Sequence, residues 1–138
     1  MVLRRASLED FNKIAEQAHL ITFDEYRPNT INTYDFALLA EDDAGIPLGY
    51  IACFEFDKES VWVLHGGVFP NTRKSMRAAQ VFHKAMNYLR ENYKRVKLDT
   101  RNDNIAMIKL AYSAGFKIMG VEQQHSGLYL AMGVEFEQ

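Results

Sequence analysis

The stretch that decides the fold is Val68-Phe69-Pro70-Asn71-Thr72-Arg73-Lys74-Ser75-Met76-Arg77-Ala78-Ala79, where an apolar strand runs into a basic turn that opens a helix. A helix N-terminus carries unpaired backbone N–H groups and about half a positive charge from its dipole, so it attracts anions. Arg73, Lys74 and Arg77 add mobile cations at the same spot. Together these features read as a cradle for a phosphate-bearing ligand.

The period of the apolar residues changes on either side of this turn. Before it, Val2–Arg5 reads as a short strand, and Ser7 can N-cap a helix whose face uses Leu8, Phe11, Ile14, Ala15 and Ala18. The polar, proline-bearing segment from Asp24 to Thr33 reads as a loop or short helix. Phe36–Glu41, Leu48–Phe56 and Val61–Val68 then alternate as three strands of an antiparallel meander. After the turn, Ala78/Ala79, Phe82, Ala85/Met86, Leu89 and Tyr93 recur at helical spacing, an arrangement that marks a core-facing stripe rather than a ligand box. Val96 and Leu98 mark a strand, and Asn102-Asp103-Asn104 can cap a helix bearing Ile105, Ile108 and Ala111/Tyr112. Gly115 ends that helix as its C′ residue. Phe116–Val121 and Gly127–Phe136 close the chain as a hairpin. The order β-α-loop-β-β-β-α-β-α-β-β predicts one α/β (α+β) domain over residues 1–138, a mixed, mostly antiparallel sheet of six to seven strands with helices on both faces.

Bulk properties narrow the function. With 138 residues the chain has room for one core, and 48% hydrophobic with 25% charged residues describes an ordinary globular composition. No apolar run approaches the roughly 20 residues of a membrane span, and Met1–Arg5 lacks a signal-peptide core, so a cytoplasmic location is expected. The lone Cys53 cannot form an internal disulfide and reads as an inert small hydrophobe. Net charge is −2 but uneven: from Arg73 to Lys109, ten Lys/Arg face three Asp/Glu (+7), and the remainder holds six against fifteen (−9). That polarity suits an anion met on one side, while the weak total argues against a nucleic-acid backbone. The four histidines lack metal-ligand spacing, and neither a G-x-x-x-x-G-K-[ST] nor a G-x-G-x-x-G motif is present, so no metal site is expected.

At the level of motifs the chain resembles the GNAT superfamily of N-acetyltransferases, and Val63–Lys117 is similar to bacteriophage-encoded members. Val68-x-Pro70-x-x-Arg73-x-x-Met76-x-Ala78 resembles the cofactor motif V-x-P-x-x-R-x-x-G-x-G/A. Asn104 to Phe116 resembles the helix N-x-A-S-I-x-x-x-x-x-x-G-F. The resemblance implies acetyl-CoA as cosubstrate. It implies that Val68, Arg73, Lys74, Ser75, Met76, Arg77 and Ala78 bind it, with Asn104 near its pantetheine arm. It also implies an amine on a small molecule or protein as acceptor, in the host cytoplasm or a virion if phage-encoded. Many relatives dimerise, so a homodimer is one implied state. Three positions depart from the pattern. Met76 replaces a glycine and either turns into the core or closes the cradle. Trp62 stands where many members carry a carboxylate. Ala111 stands where many carry a tyrosine acid, with Tyr112 one residue and about 100° further round the helix.

Attack on a thioester needs a neutral amine, an acceptor for its proton and donors for the oxyanion. Gly66-Gly67, inside an apolar strand, is the natural place for a bulge that frees a backbone donor. His65 beside it titrates near neutrality as an isolated side chain and is the first candidate for base or proton conduit. Glu55 is a second candidate, and Tyr112 a third, as acid for the leaving thiolate. The plainer readings are a hydrogen-bonded strand histidine, a solvated carboxylate and a packing tyrosine. The reading that follows is acetyl transfer to an amine by direct attack in a ternary complex. The alternative is a catalytically inactive protein of this fold with a binding or structural role. The acceptor is expected against the Asp24–Thr33 loop and the hairpin at His125-Ser126-Gly127.

Overall fold

Alternating apolar residues build a sheet, and the switch to a 3.6-residue period after Val68 builds its longest helix. The computed structural model describes residues 1–27, 33–70, 72, 76–125 and 127–136. In chain order the elements are β1 (Val2–Ala6), α1 (Leu8–Asn12), α2 (Ala15–Phe23), β2 (Phe36–Glu41), β3 (Pro47–Glu55), β4 (Ser60–Val68), α3 (Met76–Asn92), β5 (Arg95–Arg101), α4 (Ile105–Ser113), β6 (Lys117–Gln124) and β7 (Gly127–Glu135). The strands form one seven-stranded sheet in the order β1-β2-β3-β4-β5-β7-β6. Among the described residues only β4 and β5 run parallel, and α3 lies between them in the chain.

The single helix expected after Ser7 is two. Ser7 caps α1 as expected, its hydroxyl accepting from the Asp10 N–H at 3.1 Å. The turn then tightens: Lys13 N–H donates to Asp10 O at 3.3 Å and Ile14 N–H to Phe11 O at 3.0 Å, after which α2 restarts. At the other expected boundary, Asn104 caps α4 by accepting from Met107 N–H at 3.2 Å. Gly115 follows the C-cap Ala114 with φ +91°, a conformation that glycine adopts without a Cβ penalty.

Consecutive residues of β2 go to different cores. Leu38 joins Phe36, Cys53, Val61, Val63, Met86, Leu89, Leu98, Ala111 and Met132, which brings α3 and α4 to one face of the sheet. Leu39 joins Phe11, Ala15, Ala18, Tyr34, Tyr50 and Phe69, which brings α1 and α2 to the other. Cys53 is buried in the first of these, where burial raises its thiol pKa.

The strand register corrects one expectation. The bulge in β4 lies at Leu64, not at Gly66-Gly67: Cys53 pairs with Val63 and Ala52 with His65, so Leu64 is the extra residue. Gly66 has a different cause. A Cβ on Gly66 would lie 2.6 Å from Tyr50 O and 2.7 Å from Ile51 Cγ2, so β3 approaches too closely for a side chain there. Parallel pairing of β4 with β5 runs only from Ser60↔Arg95 to Val63↔Leu98. Past that point the two strands diverge, and β5 stays paired with β7 through Arg101↔Tyr129.

Candidate active site

The Leu64 bulge reverses the alternation of β4. Val61 and Val63 face α3, and an unbroken strand would turn His65 the same way. With one extra residue, His65 instead joins its cross-strand partner Ala52 on the α1/α2 face, beside Tyr50. Phe11, fully buried, forms the floor of this cluster, its ring 5.8 Å from Tyr34 and 5.4 Å from Tyr50.

A chain of hydrogen bonds runs through the cluster. Thr22 Oγ1 and Tyr50 Oη are 2.5 Å apart, and Tyr50 Oη is 2.8 Å from His65 Nδ1. His65 Nε2 is bonded to the Tyr34 hydroxyl, which lies 3.2 Å from His19 Nε2. Arg27 N–H donates to His19 Nδ1 at 3.0 Å. A backbone amide can only donate, so His19 Nδ1 is the acceptor and the neutral ring carries its proton on Nε2, directed at Tyr34. Asp24, left-handed at φ 60°, ends α2 and turns the chain back so that Arg27 reaches His19. Tyr34 is placed by the next residue: Asp35 N–H donates to Cys53 O at 2.8 Å, and its carboxylate accepts from Glu55 N–H at 2.6 Å.

Electrostatics correct a second expectation. His65 does not titrate near neutrality: burial, with the His19 and Arg27 charges adding to it, pushes its pKa down to about 3. The ring is neutral at physiological pH and is a poor base. With both nitrogens hydrogen-bonded to phenols, a proton accepted at one nitrogen can leave from the other, so the ring can conduct. His19 is likewise lowered, mainly by burial, and Tyr50 is raised by burial.

The remaining expected residues lie apart from this cluster. Glu55 pairs with Val61 on the α3 face, near the β3–β4 turn, and accepts from Tyr93 Oη at 2.6 Å. It does not meet His65. Tyr112 is 52% exposed on α4, so it is not the packing residue its spacing suggests. At the cradle, Val68 closes β4, and the buried Thr72 donates its N–H to Phe69 O at 2.8 Å. Arg73, Lys74 and Ser75 lie outside the described residues. Met76 opens α3 and is 84% exposed, so of the two expected placements it does not turn into the core: it stands on the first turn, facing solvent. Ala78 is partly buried, and Arg77 lines a cleft with Asp42, Asp43 and Leu48. His19, Thr22, Tyr34 and Tyr50 were not singled out from sequence. The one available signal was polar atoms on an otherwise apolar face, with Tyr50 inside a buried strand.

Whether the chain can take acetyl-CoA turns on the fork. Among the described residues the β4–β5 pairing ends at Val63↔Leu98, so from Leu64 onward the β5 side of β4 presents a strand edge of the kind an extended ligand with amide groups can pair with. No metal-ligand cluster occurs among the described residues, and no helix among them is long and apolar enough to cross a membrane.

A mixed sheet forked between a parallel strand pair, with a helix starting at the mouth of the fork, defines the acetyltransferase class that the motifs resemble. The family model described as the acetyltransferase (GNAT) family matches residues 2–116, and the chain belongs to that family. Its members use acetyl-CoA. The structure is similar to a GNAT family acetyltransferase from Elizabethkingia anophelis solved with acetyl-CoA bound (13% identity, 98% of this chain and 97% of that one, TM-score 0.80). It is similar to an IAA acetyltransferase from Bacillus cereus (13% identity, 98% and 99% covered, TM-score 0.79). It is also similar to the ribosomal-protein-S18-alanine N-acetyltransferase from Escherichia coli (14% identity, 99% and 96% covered, TM-score 0.74). At these identities the likeness is one of fold. No protein of curated function matches the chain by sequence.

Proposed function

We propose that the chain moves an acetyl group from acetyl-CoA to an amine by direct attack, with both substrates held at once. The observation that carries this reading is the fork with its bulge. Leu64 and His65, the first β4 residues past the last β4–β5 pair, lie at its base, where a backbone N–H on the β5 side can meet a carbonyl oxygen as it becomes an oxyanion. Val68, Arg73, Lys74, Ser75, Met76, Arg77 and Ala78, around the start of α3, hold the diphosphate. Asn104 uses its Oδ1 as a cap and keeps its amide nitrogen for the pantetheine arm. Met76, turned to solvent, supports an open cradle.

In this reading His65 serves as a conduit. The Thr22–Tyr50–His65–Tyr34–His19 chain can pass a proton away from the fork by exchanging donor and acceptor roles along its length. The acceptor is an amine on a small molecule or a protein, such as the alanine of ribosomal protein S18 named for the E. coli relative. The inactive alternative draws on Arg77, whose cation opens onto the acidic Asp42–Asp43 turn. Calorimetric titration with acetyl-CoA separates the two. Saturable heat is expected, and absence of heat at millimolar ligand overturns the transferase reading.

A further inference from the structure

The hydrogen-bonded chain through His65 has a direction, and the main chain at Arg27 sets it. Arg27 N–H meets His19 Nδ1 at 3.0 Å, so His19 presents its Nε2–H to Tyr34 Oη at 3.2 Å. Tyr34 receives a hydrogen bond from His19 and cannot return one to the same nitrogen. Its own hydroxyl proton is directed at His65 Nε2, a phenol O–H being a stronger donor than an imidazole N–H. The neutral His65 ring then carries its proton on Nδ1, pointed at Tyr50 Oη 2.8 Å away. Tyr50 in turn directs its hydroxyl at Thr22 Oγ1, 2.5 Å away, with the Ala18 carbonyl a longer alternative at 3.4 Å. Five successive hydrogen bonds thus point the same way, from Arg27 to Thr22.

The two ends of this chain differ accordingly. At the Arg27 end, His19 Nδ1 is occupied by a donor that can neither rotate nor titrate. The ring is fully buried, with Phe11 at 6.2 Å and Tyr26 at 5.5 Å. The Arg27 guanidinium is engaged elsewhere, on the exposed Glu25 carboxylate at 3.0 Å, so it is the backbone and not the side chain that holds His19. At the other end Thr22 is half-buried on the last turn of α2, where a Cβ on Gly67 would lie 3.6 Å from its Oγ1. A proton taken up by Tyr34 Oη is therefore carried toward Thr22. The original Tyr34 proton moves to His65 Nε2, the Nδ1 proton of His65 to Tyr50 Oη, the Tyr50 proton to Thr22 Oγ1, and the Thr22 hydroxyl proton to water. Each group gains one bond to hydrogen as it loses one, so no charge stays in the buried cluster.

We propose that Arg27 is a positioning residue acting through its backbone N–H, which fixes the tautomer of His19, through Tyr34 that of His65, and so makes Thr22 the outlet for the proton that acetyl transfer releases. Its use rests on the acetyl-transfer reading above, while the tautomers rest on the hydrogen bonds alone.

Two-bond proton–nitrogen correlation spectra of the 15N-labelled protein at neutral pH read the tautomer of each ring, the four histidines being assigned by substitution. His19 is expected to carry its proton on Nε2 and His65 on Nδ1. A wild-type His65 protonated on Nε2 overturns the proposal outright. Arg27→Ala keeps the N–H and leaves both patterns as they are, whereas Arg27→Pro removes it and drives both rings to a mixture of tautomers. His19→Gln keeps a donor toward Tyr34 and with it the Nδ1 proton on His65. His19→Leu removes that donor, and His65 loses its preference. An unchanged His65 pattern in either Arg27→Pro or His19→Leu refutes the control by the amide. Thr22→Val closes the outlet and slows exchange of the His65 Nδ1 proton with water at least about tenfold, and an equal rate overturns the outlet. Acetyl-CoA calorimetry on the same proteins separates the two readings: the expected tautomers without heat would keep the control by Arg27 and remove the transferase it serves.

Discussion

Replacing His65 with glutamine and following stability between pH 7 and pH 4 tests the buried imidazole directly. In the unfolded chain a histidine titrates near 6.5, while in the fold burial pushes His65 down to about 3. Between those values the unfolded chain holds one proton more than the native one. Stability is therefore fully present above about pH 6.5 and is lost as pH falls toward 3, at up to about 1.4 kcal/mol per pH unit. Across the window this amounts to about 3–5 kcal/mol, a large share of the 5–15 kcal/mol that holds a typical domain together. His19, shifted the same way by burial, adds to the slope. Glutamine keeps an amide near the two tyrosine hydroxyls and removes the titration. Urea unfolding of both proteins, read by circular dichroism at each pH, isolates the effect, because titrations elsewhere cancel in the difference. The wild type is expected to lose about 2–3 kcal/mol more than His65→Gln between pH 6.5 and 4.5. Parallel curves would refute the assignment of a neutral, acid-resistant His65.

Two further substitutions probe the fork and its flank. Gly66→Ala places a Cβ 2.6 Å from Tyr50 O, so β3 and β4 must separate; a loss of about 1–3 kcal/mol in urea unfolding and weaker acetyl-CoA binding are expected, and wild-type values for both would show the contact to be soft. Asn104→Ala removes the side-chain cap of α4 and should lower stability by about 1 kcal/mol, whereas an unchanged unfolding midpoint would mean water replaces the cap.

Much of the architecture was legible because it depends on local periodicity. The meander, the crossover helix after Val68, the Ser7 and Asn104 caps and the Gly115 stop all follow from residue spacing and from backbone groups that need partners. What spacing misread was the site. A glycine pair looked like a bulge because glycine tolerates irregular backbone, yet here Gly66 serves close strand approach, and the extra residue is the unremarkable Leu64. Glu55 and His65 are near in sequence and both polar, but the phase change between them sends them to opposite faces.

The amino-acid order thus determined the family, the succession of elements and the presence of a basic helix start at the mouth of a parallel pair, since each is written in short-range pattern. Only the tertiary structure decided which polar groups meet, because a one-residue bulge inverts everything after it in a strand. Burial then decided their charge, keeping His65 neutral. Desolvation belongs to the packed whole and has no counterpart in a list of residues.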